Sequence, residues 1–396
     1  MPHGAEKSLP AQGELIVYFR LLVTYCHGMS AALPVRPVPY LPALTGVRAL
    51  AAFWVLLYHL HPALQDYFGA DGLVLSFVRS GYQGVDLFFA LSGFILAHHY
   101  AAALQPFDKK AYGHYLWARV ARIYPLHLAM LFTVLTMVKL APVFGFTINR
   151  ATDYEWDTFF QNLFLVQAWQ FPAQVNWNHF AWSISAEWFA YLLAPLFVAM
   201  AWRPQSLYIQ LLLLIAFLCI APVSFVLLEE PRPSAYALMR ITGAFGAGMV
   251  SYRLFDEGQG ARWNWGRGTW GAVAALVLAA LLQDKVSGRV DFIVVPAAVL
   301  FIFALAHQQG SVAAVLGNRF FEYMGRLSYA LYITQFILLM PLRKILPYQA
   351  FIDTPFYMQL AYLIGVTAAA LFVACAAYHF IEEPARRALR RWMADK

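Results

Sequence analysis

The sequence predicts an all-α protein: a polytopic membrane helix bundle of about ten transmembrane helices with no soluble domain. Three observations carry that prediction. The 396-residue chain is 61% hydrophobic and only 12% charged, about half the charge of an ordinary soluble domain. Its mean hydropathy is +0.57. Apolar windows of roughly twenty residues, long enough to cross a bilayer as a helix, recur from residue 43 to residue 380. A very apolar soluble protein would need polar helix faces, and most of these segments have none. The three cysteines lie far apart and give neither a disulfide framework nor a zinc pattern. No metal site is expected. The net charge of +7 is spread over loops and the C-terminus, which suits membrane topology better than nucleic acid.

Spans are expected at about 44–61, 82–101, 116–140, 178–200, 207–228, 235–254, 268–282, 289–306, 326–342 and 357–380. The stretch 158–169 is too short to cross and reads as an interfacial or re-entrant helix. Three regions follow: an N-terminal cytoplasmic segment (1–40), a transmembrane domain (41–386) and a basic cytoplasmic tail (387–396). ELIVYFRLLVTYC (14–26) is short and broken by Arg20, so it is a poor span and a poor signal peptide. Met29 offers an alternative start, under which 1–28 would not be native. With both ends in the cytoplasm, eighteen of the 28 Lys and Arg residues fall on that side and eight on the other. The positive-inside rule therefore places both termini inside, in a multi-pass cell (inner) membrane protein.

Ionisable groups are costly inside a bilayer and need a reason to be there. In the first span, TGVRALAAFWVLLYHLHP (45–62), Arg48 and His59 are eleven residues apart. Eleven residues make nearly three helical turns, so both project from one face, about 16 Å apart along the axis. A snorkelling Arg and an interfacial His would be the plain reading, but two unrelated end effects need not align. The second span runs back inward, so Asp86 enters near the depth of His59. There it either orients the imidazole or caps the helix start. Gly81, Gly84 and Gly93 permit close helix approach. Arg119 and Arg122 share a helix face at the cytoplasmic surface and suit phosphate binding, unless they are ordinary positive-inside charge. Glu187 follows Ser183 and Ser185 and needs a partner: Arg240, His59 or a polar substrate. Ser185, Arg240, Tyr332 and Gln335 are candidate acceptor-site or structural polar residues. Gln335, near mid-span, is expected to face the bundle interior. HFIEEPARRALRRW reads as an amphipathic basic tail on the anionic inner leaflet.

The depth order points to chemistry. Arg48, Arg119 and Arg122 are expected at the cytoplasmic face, with His59, Asp86 and Glu187 toward the other. A pantetheine arm of roughly 15–20 Å matches the eleven-residue rise between Arg48 and His59. This fits acyl transfer from a cytosolic thioester to an acceptor reaching in from outside.

Six motifs, in order, resemble the membrane-bound acyltransferase-3 family: LTGVRALAAFWVLLYH, GVDLFFALSGFIL, RVARIYP, WSISAEWFAYL, GRLSYALYIT and FIEEPARR. The resemblance covers about 41–386. It implies a multi-span enzyme that moves acetyl or other acyl groups onto hydroxyls of surface glycans, lipopolysaccharide, peptidoglycan or macrolides. It implies that Arg48 and His59 are essential, that Arg119 and Arg122 serve the acyl-CoA side, and that Glu187 is the acidic residue of the WSxSxE motif. Relatives commonly end SYxLYLWH with a His where this chain has Gln335. Many also carry a C-terminal SGNH hydrolase-like domain. This sequence shows none, so acceptor delivery is expected to be direct or through a separate partner.

The expected function is a membrane O-acyltransferase moving an acetyl (acyl) group from acetyl-CoA to a hydroxyl of a cell-surface or exported glycan. Acetyl-CoA is a co-substrate, and no bound cofactor is expected. The bilayer and polysaccharide synthesis or export machinery are the expected partners, with no nucleic acid. His59 acts either as general base or as a transiently acylated relay. The rival readings are a transporter of a glycan or lipid-linked sugar, which needs no CoA site, and a non-catalytic partner of a polysaccharide synthase.

Overall fold

A computed structural model describes residues 39–69, 72–148, 151–286 and 291–394. Residues 1–38, with the 14–26 segment and Met29, lie outside them. The chain from Leu41 to Lys396 forms one compact unit, and no strand occurs among the described residues.

Helix α1 (Pro42–Phe68) has Pro42 in its first turn, where a missing N–H costs nothing. A short α2 (Leu73–Arg79) and a 3-10 turn (Ser80–Gln83) return the chain into α3 (Gly84–Tyr100). Helix α4 (Lys109–Leu140) is capped by Asp108, whose side chain accepts from the Ala111 N–H at 2.7 Å. After α5 (Trp156–Leu163) come α6 (Ala181–Leu192) and α7 (Ala194–Trp202), then α8 (Leu207–Leu228), α9 (Ala237–Asp256) and α10 (Trp265–Val286). Helices α11 (Val294–Ala306), α12 (Gly310–Leu316), α13 (Arg319–Ile345) and α14 (Phe356–Ala377) follow. A π-helical turn (Tyr378–Glu382) leads into α15 (Glu383–Ala394).

Helices stand at all ten expected places, yet fewer qualify as spans on length and apolarity. Five do: Pro42–Phe68, Lys109–Phe144, Leu207–Leu228, Trp265–Val286 and Phe356–Met393. Two bent pairs, α6 with α7 (60°) and α11 with α12 (89°), raise the number to seven. The expected straight span at 178–200 is thus broken after Leu192, where Pro195 opens α7 and cannot donate to the preceding turn. The span expected at 268–282 is longer, at Trp265–Val286. Of the 158–169 stretch, only 158–163 is helical, as part of the eight-residue α5.

The helices that fall short on apolarity or length are α3, α9 and α13, and burial explains why. α8 has only 17% of its most apolar window buried, against 61% for α1. It turns Leu212, Ile215, Val223 and Val226 outward, as a lipid-facing helix must. α3 and α9 instead face protein, so Gly, Ser, Asp and Arg are admissible there. Their packing depends on absent side chains: a Cβ at Gly93 would run into the Phe245 carbonyl, and one at Gly248 into the Ala90 carbonyl. Gly81 and Gly84 lie similarly close to the Trp54 and Ala51 carbonyls on α1. We expect Gly93→Val to lower the stability of the detergent-purified protein by about 1–3 kcal/mol or to abolish its folded yield. Gly365→Ala, at a position with open space, should leave the thermal midpoint near wild type. Thermal unfolding monitored by fluorescence would measure both.

Candidate active site

The candidate polar residues gather in three places: at the His59 end of α1, at its Arg48 end, and between α3 and α9. The first is at the His59 end. His59 Nδ1 lies 3.0 Å from Gln335 Oε1 on α13, and the imidazole packs on Phe180, centroids 4.3 Å apart. This contact is a hydrogen bond for the tautomer that carries its hydrogen on Nδ1, which leaves Nε2 with its lone pair. Gln335 is buried, and its Nε2 has no hydrogen-bond partner. His59 also lines two cavities. A wide one of about 760 Å³ is bounded by Phe144, Phe146, Phe336, Met340 and Arg343. A second of about 210 Å³ reaches Tyr82, Arg240 and Tyr332. His59, His179 and Phe180 border both.

Tyr332 closes the second cavity and borders a third. Its hydroxyl accepts from Ser183 Oγ at 2.8 Å and donates to the Phe180 carbonyl at 3.0 Å. The third cavity, about 50 Å³, is bordered by Arg48, Arg122, Glu187, Ser92 and Ser328. Arg48 Nε donates to Ser328 Oγ at 3.2 Å. Glu187 Oε1 accepts from the Ser92 hydroxyl and, at 2.5 Å, from the Tyr191 hydroxyl. Arg119 sits among the rings of Tyr100, Tyr115 and Tyr191, and its Nη2 donates to the Tyr100 hydroxyl at 3.1 Å. Of the two arginines three apart, only Arg122 lines the cavity with Arg48.

Two expected partnerships are corrected. Asp86 does not orient His59. Its carboxylate forms a two-pronged ion pair with Arg240, at 2.9 Å to Nε and 2.7 Å to Nη2, and both side chains are 1% exposed. Arg240 also donates to the Tyr82 and Pro233 carbonyls at 3.2 Å and lies against the Trp182 and Phe292 rings. Asp86 enters at the expected place, but α3 packs along α9 and turns this carboxylate toward Arg240. Glu187 neither joins His59 nor pairs with Arg240. Helix α6 begins deep in the bundle, with Asn178 just before it donating to the Ile333 carbonyl in mid α13 at 3.0 Å. Two turns further on, Glu187 has already reached the Arg48 cavity. Ser185 is structural: its hydroxyl donates to the Leu165 carbonyl and accepts from the Ala168 N–H, fixing the turn after α5.

Sequence reasoning missed Phe180, Ser92 and Tyr191, since none of them differs in pattern from its apolar and aromatic surroundings. It also assigned no role to Glu382, although FIEEPARR was among the motifs. Asp153 and His179, 3.5 Å apart beside the wide cavity, stand on the connections before and after α5, which have no periodicity to place them.

A family model described as an acyltransferase domain matches residues 41–379. Acyltransferase MdmB of Streptomyces mycarofaciens is 34% identical over 165 residues, 39% of this chain and 38% of that protein. Protein 2 in the picA locus of Rhizobium radiobacter is 40% identical over 94 residues, 22% of this chain and 40% of that protein. O-acetyltransferase OatA of Staphylococcus aureus is 23% identical over 394 residues, 88% of this chain and 57% of that protein. The chain therefore spans about half or less of the length of these relatives. No solved structure matches it.

The Asp86–Arg240 pair predicts a test of role. Asp86→Ala leaves a buried guanidinium without its counter-ion and should destabilise the protein by about 3–5 kcal/mol. Adding Arg240→Leu should recover part of that loss, read as the thermal midpoint of the double variant. Lost turnover at unchanged stability would instead return Asp86 to the chemistry.

Proposed function

Because the chain belongs to the acyltransferase family matched over residues 41–379, we propose that it is a membrane O-acyltransferase taking an acyl group, acetyl first, from cytosolic acyl-CoA to a hydroxyl acceptor. In this reading all ten helical stretches cross the cell (inner) membrane with both termini in the cytoplasm. The Arg48 end faces the cytoplasm and binds the donor, with Arg119 and Arg122. The wide cavity at the His59 end receives a cell-surface or exported glycan, or a similar hydroxyl-bearing molecule.

One observation carries the chemistry. His59 stands where two cavities meet, with Nδ1 fixed by Gln335 and Nε2 left as the basic atom. An acceptor hydroxyl in the wide cavity gives its proton to Nε2 as its oxygen attacks the thioester carbonyl carbon. The C–S bond then breaks, and the thiolate of CoA leaves and takes up a proton. Gln335 holds the imidazole in the tautomer this needs and, by its carbonyl dipole, favours the imidazolium that forms. Tyr332 stands between the His59 and Arg48 cavities, so the thioester must pass beside it. The ion pair of Asp86 with Arg240 holds α3 against α9 and takes no proton.

We expect His59→Ala to lower acyl transfer by about a hundredfold or more while the protein stays folded. Gln335→Leu should lower kcat by about tenfold or more, and Gln335→His, the residue usual in relatives, should keep most of it. Mass spectrometry of acceptor extracts incubated with labelled acetyl-CoA would measure transfer. Near-normal transfer by His59→Ala would overturn the assignment, and a labelled acyl-imidazole trapped on His59 would replace the base mechanism with a relay.

A further inference from the structure

Three cavities follow one another through the bundle, and their shared walls set their order. The wide cavity and the second cavity have His59, His179 and Phe180 in common. The second cavity and the small Arg48 cavity have Val85 and Tyr332 in common. Among the described residues none lines both the wide cavity and the Arg48 cavity. The second cavity is therefore a chamber between the other two, with His59 in its wall.

The lining of the chamber says what suits it. Val55 of α1, Val85 of α3 and Trp182 of α6, with Val175, Phe180 and Pro233 from the connections, give it a largely apolar surface. Three of its polar wall residues are already engaged. Arg240 is paired with Asp86, the Tyr82 hydroxyl donates to Asp291 at 2.5 Å, and the Tyr332 hydroxyl is bonded to Ser183 and the Phe180 carbonyl. A sugar or a phosphate has to compete for these groups, whereas a hydrocarbon chain needs none of them. The chamber measures about 210 Å³. An acetyl methyl group leaves most of that volume empty, and a void forfeits the contacts of the atoms that line it.

The geometry of acyl transfer sends one group there. In the tetrahedral transition state the carbonyl carbon carries, besides its own oxygen, the departing sulfur, the incoming oxygen and the acyl chain. With the sulfur toward the Arg48 cavity and the incoming oxygen toward the wide one, the chain is left with the chamber. As the leading end of the donor, it is also the first part to pass Val85 and Tyr332. Resting on the acyl-CoA reading above, we infer that this chamber seats the acyl chain and limits its length. It admits chains from acetyl to about six carbons, since an apolar cavity of about 150 Å³ holds a benzene ring.

Equilibrium binding to the full-length protein in nanodiscs tests this without an acceptor, using a series of acyl-CoAs from acetyl to decanoyl. Empty nanodiscs correct for partition into lipid. Each buried methylene is worth about fourfold in affinity, so hexanoyl-CoA should bind wild type at least about tenfold more tightly than acetyl-CoA. Chains beyond about six carbons should gain nothing further. The readout is the hexanoyl-to-acetyl ratio within each variant, from which a loss of folded protein cancels. Val175→Phe, which fills the chamber from a half-buried loop position, should bring that ratio to about one or below. Val175→Ala, which enlarges the chamber, should move the limit to longer chains, and decides alone if the Phe variant does not fold. A wild-type ratio near one, or a ratio and limit unmoved by the Val175 variants, overturns the chamber's role while leaving the acyl-CoA reading intact. A wild-type protein that binds no acyl-CoA overturns both.

Discussion

Every charge carried into this bundle has to be solvated by the bundle itself, because neither lipid nor a packed helix interface can do it. The protein meets that constraint in two opposite ways. Asp86 and Arg240 are fully matched: two hydrogen bonds join them, two backbone carbonyls take further guanidinium hydrogens, and two aromatic rings cover the faces. Nothing is left for a ligand to satisfy, and the pair fixes α3 against α9. Arg48, Arg122 and Glu187 instead border one small cavity, and among the described residues no ion pair joins any two of them. The first arrangement is what a structural ion pair requires; the second is what a binding site requires.

His59 depends on both. Its helix, α1, is held by the close approach of α3 and α13, and its ring is set by Gln335 from α13 and Phe180 from the turn before α6. The same turn reaches mid-bundle, so the wide cavity ends at the imidazole while the Arg48 cavity lies beyond Tyr332. The separation along α1 that spaces Arg48 from His59 is therefore kept by packing on both sides. A donor at one end and an acceptor at the other would meet at a single basic nitrogen.

Much of this was legible in the sequence, and the failures have a common cause. Helix positions follow from apolar runs, and the alignment of Arg48 with His59 follows from the 3.6-residue turn, because both are local properties of one segment. Gly81, Gly84 and Gly93 read correctly as close contacts for the same reason. The partners of Asp86 and Glu187 depend on which face of α3 meets α9 and on how deep α6 begins. These are properties of several segments together. A span opening at the outer surface near residue 178 would put Glu187 close to that face, whereas Asn178 already bonds the Ile333 carbonyl in mid α13. Length and apolarity by themselves qualify five to seven spans, because apolarity reports contact with lipid, and α3, α9 and α13 are largely enclosed by other helices.

The central claim is that donor and acceptor enter from opposite faces and meet at His59. Proteoliposomes with the protein in one orientation test it most directly, with labelled acetyl-CoA on the Arg48 side and a hydroxyl acceptor extract on the His59 side. The account predicts label in the acceptor fraction in this arrangement, and none when the two reagents exchange sides. Label transferred only when both reagents share one face would contradict it.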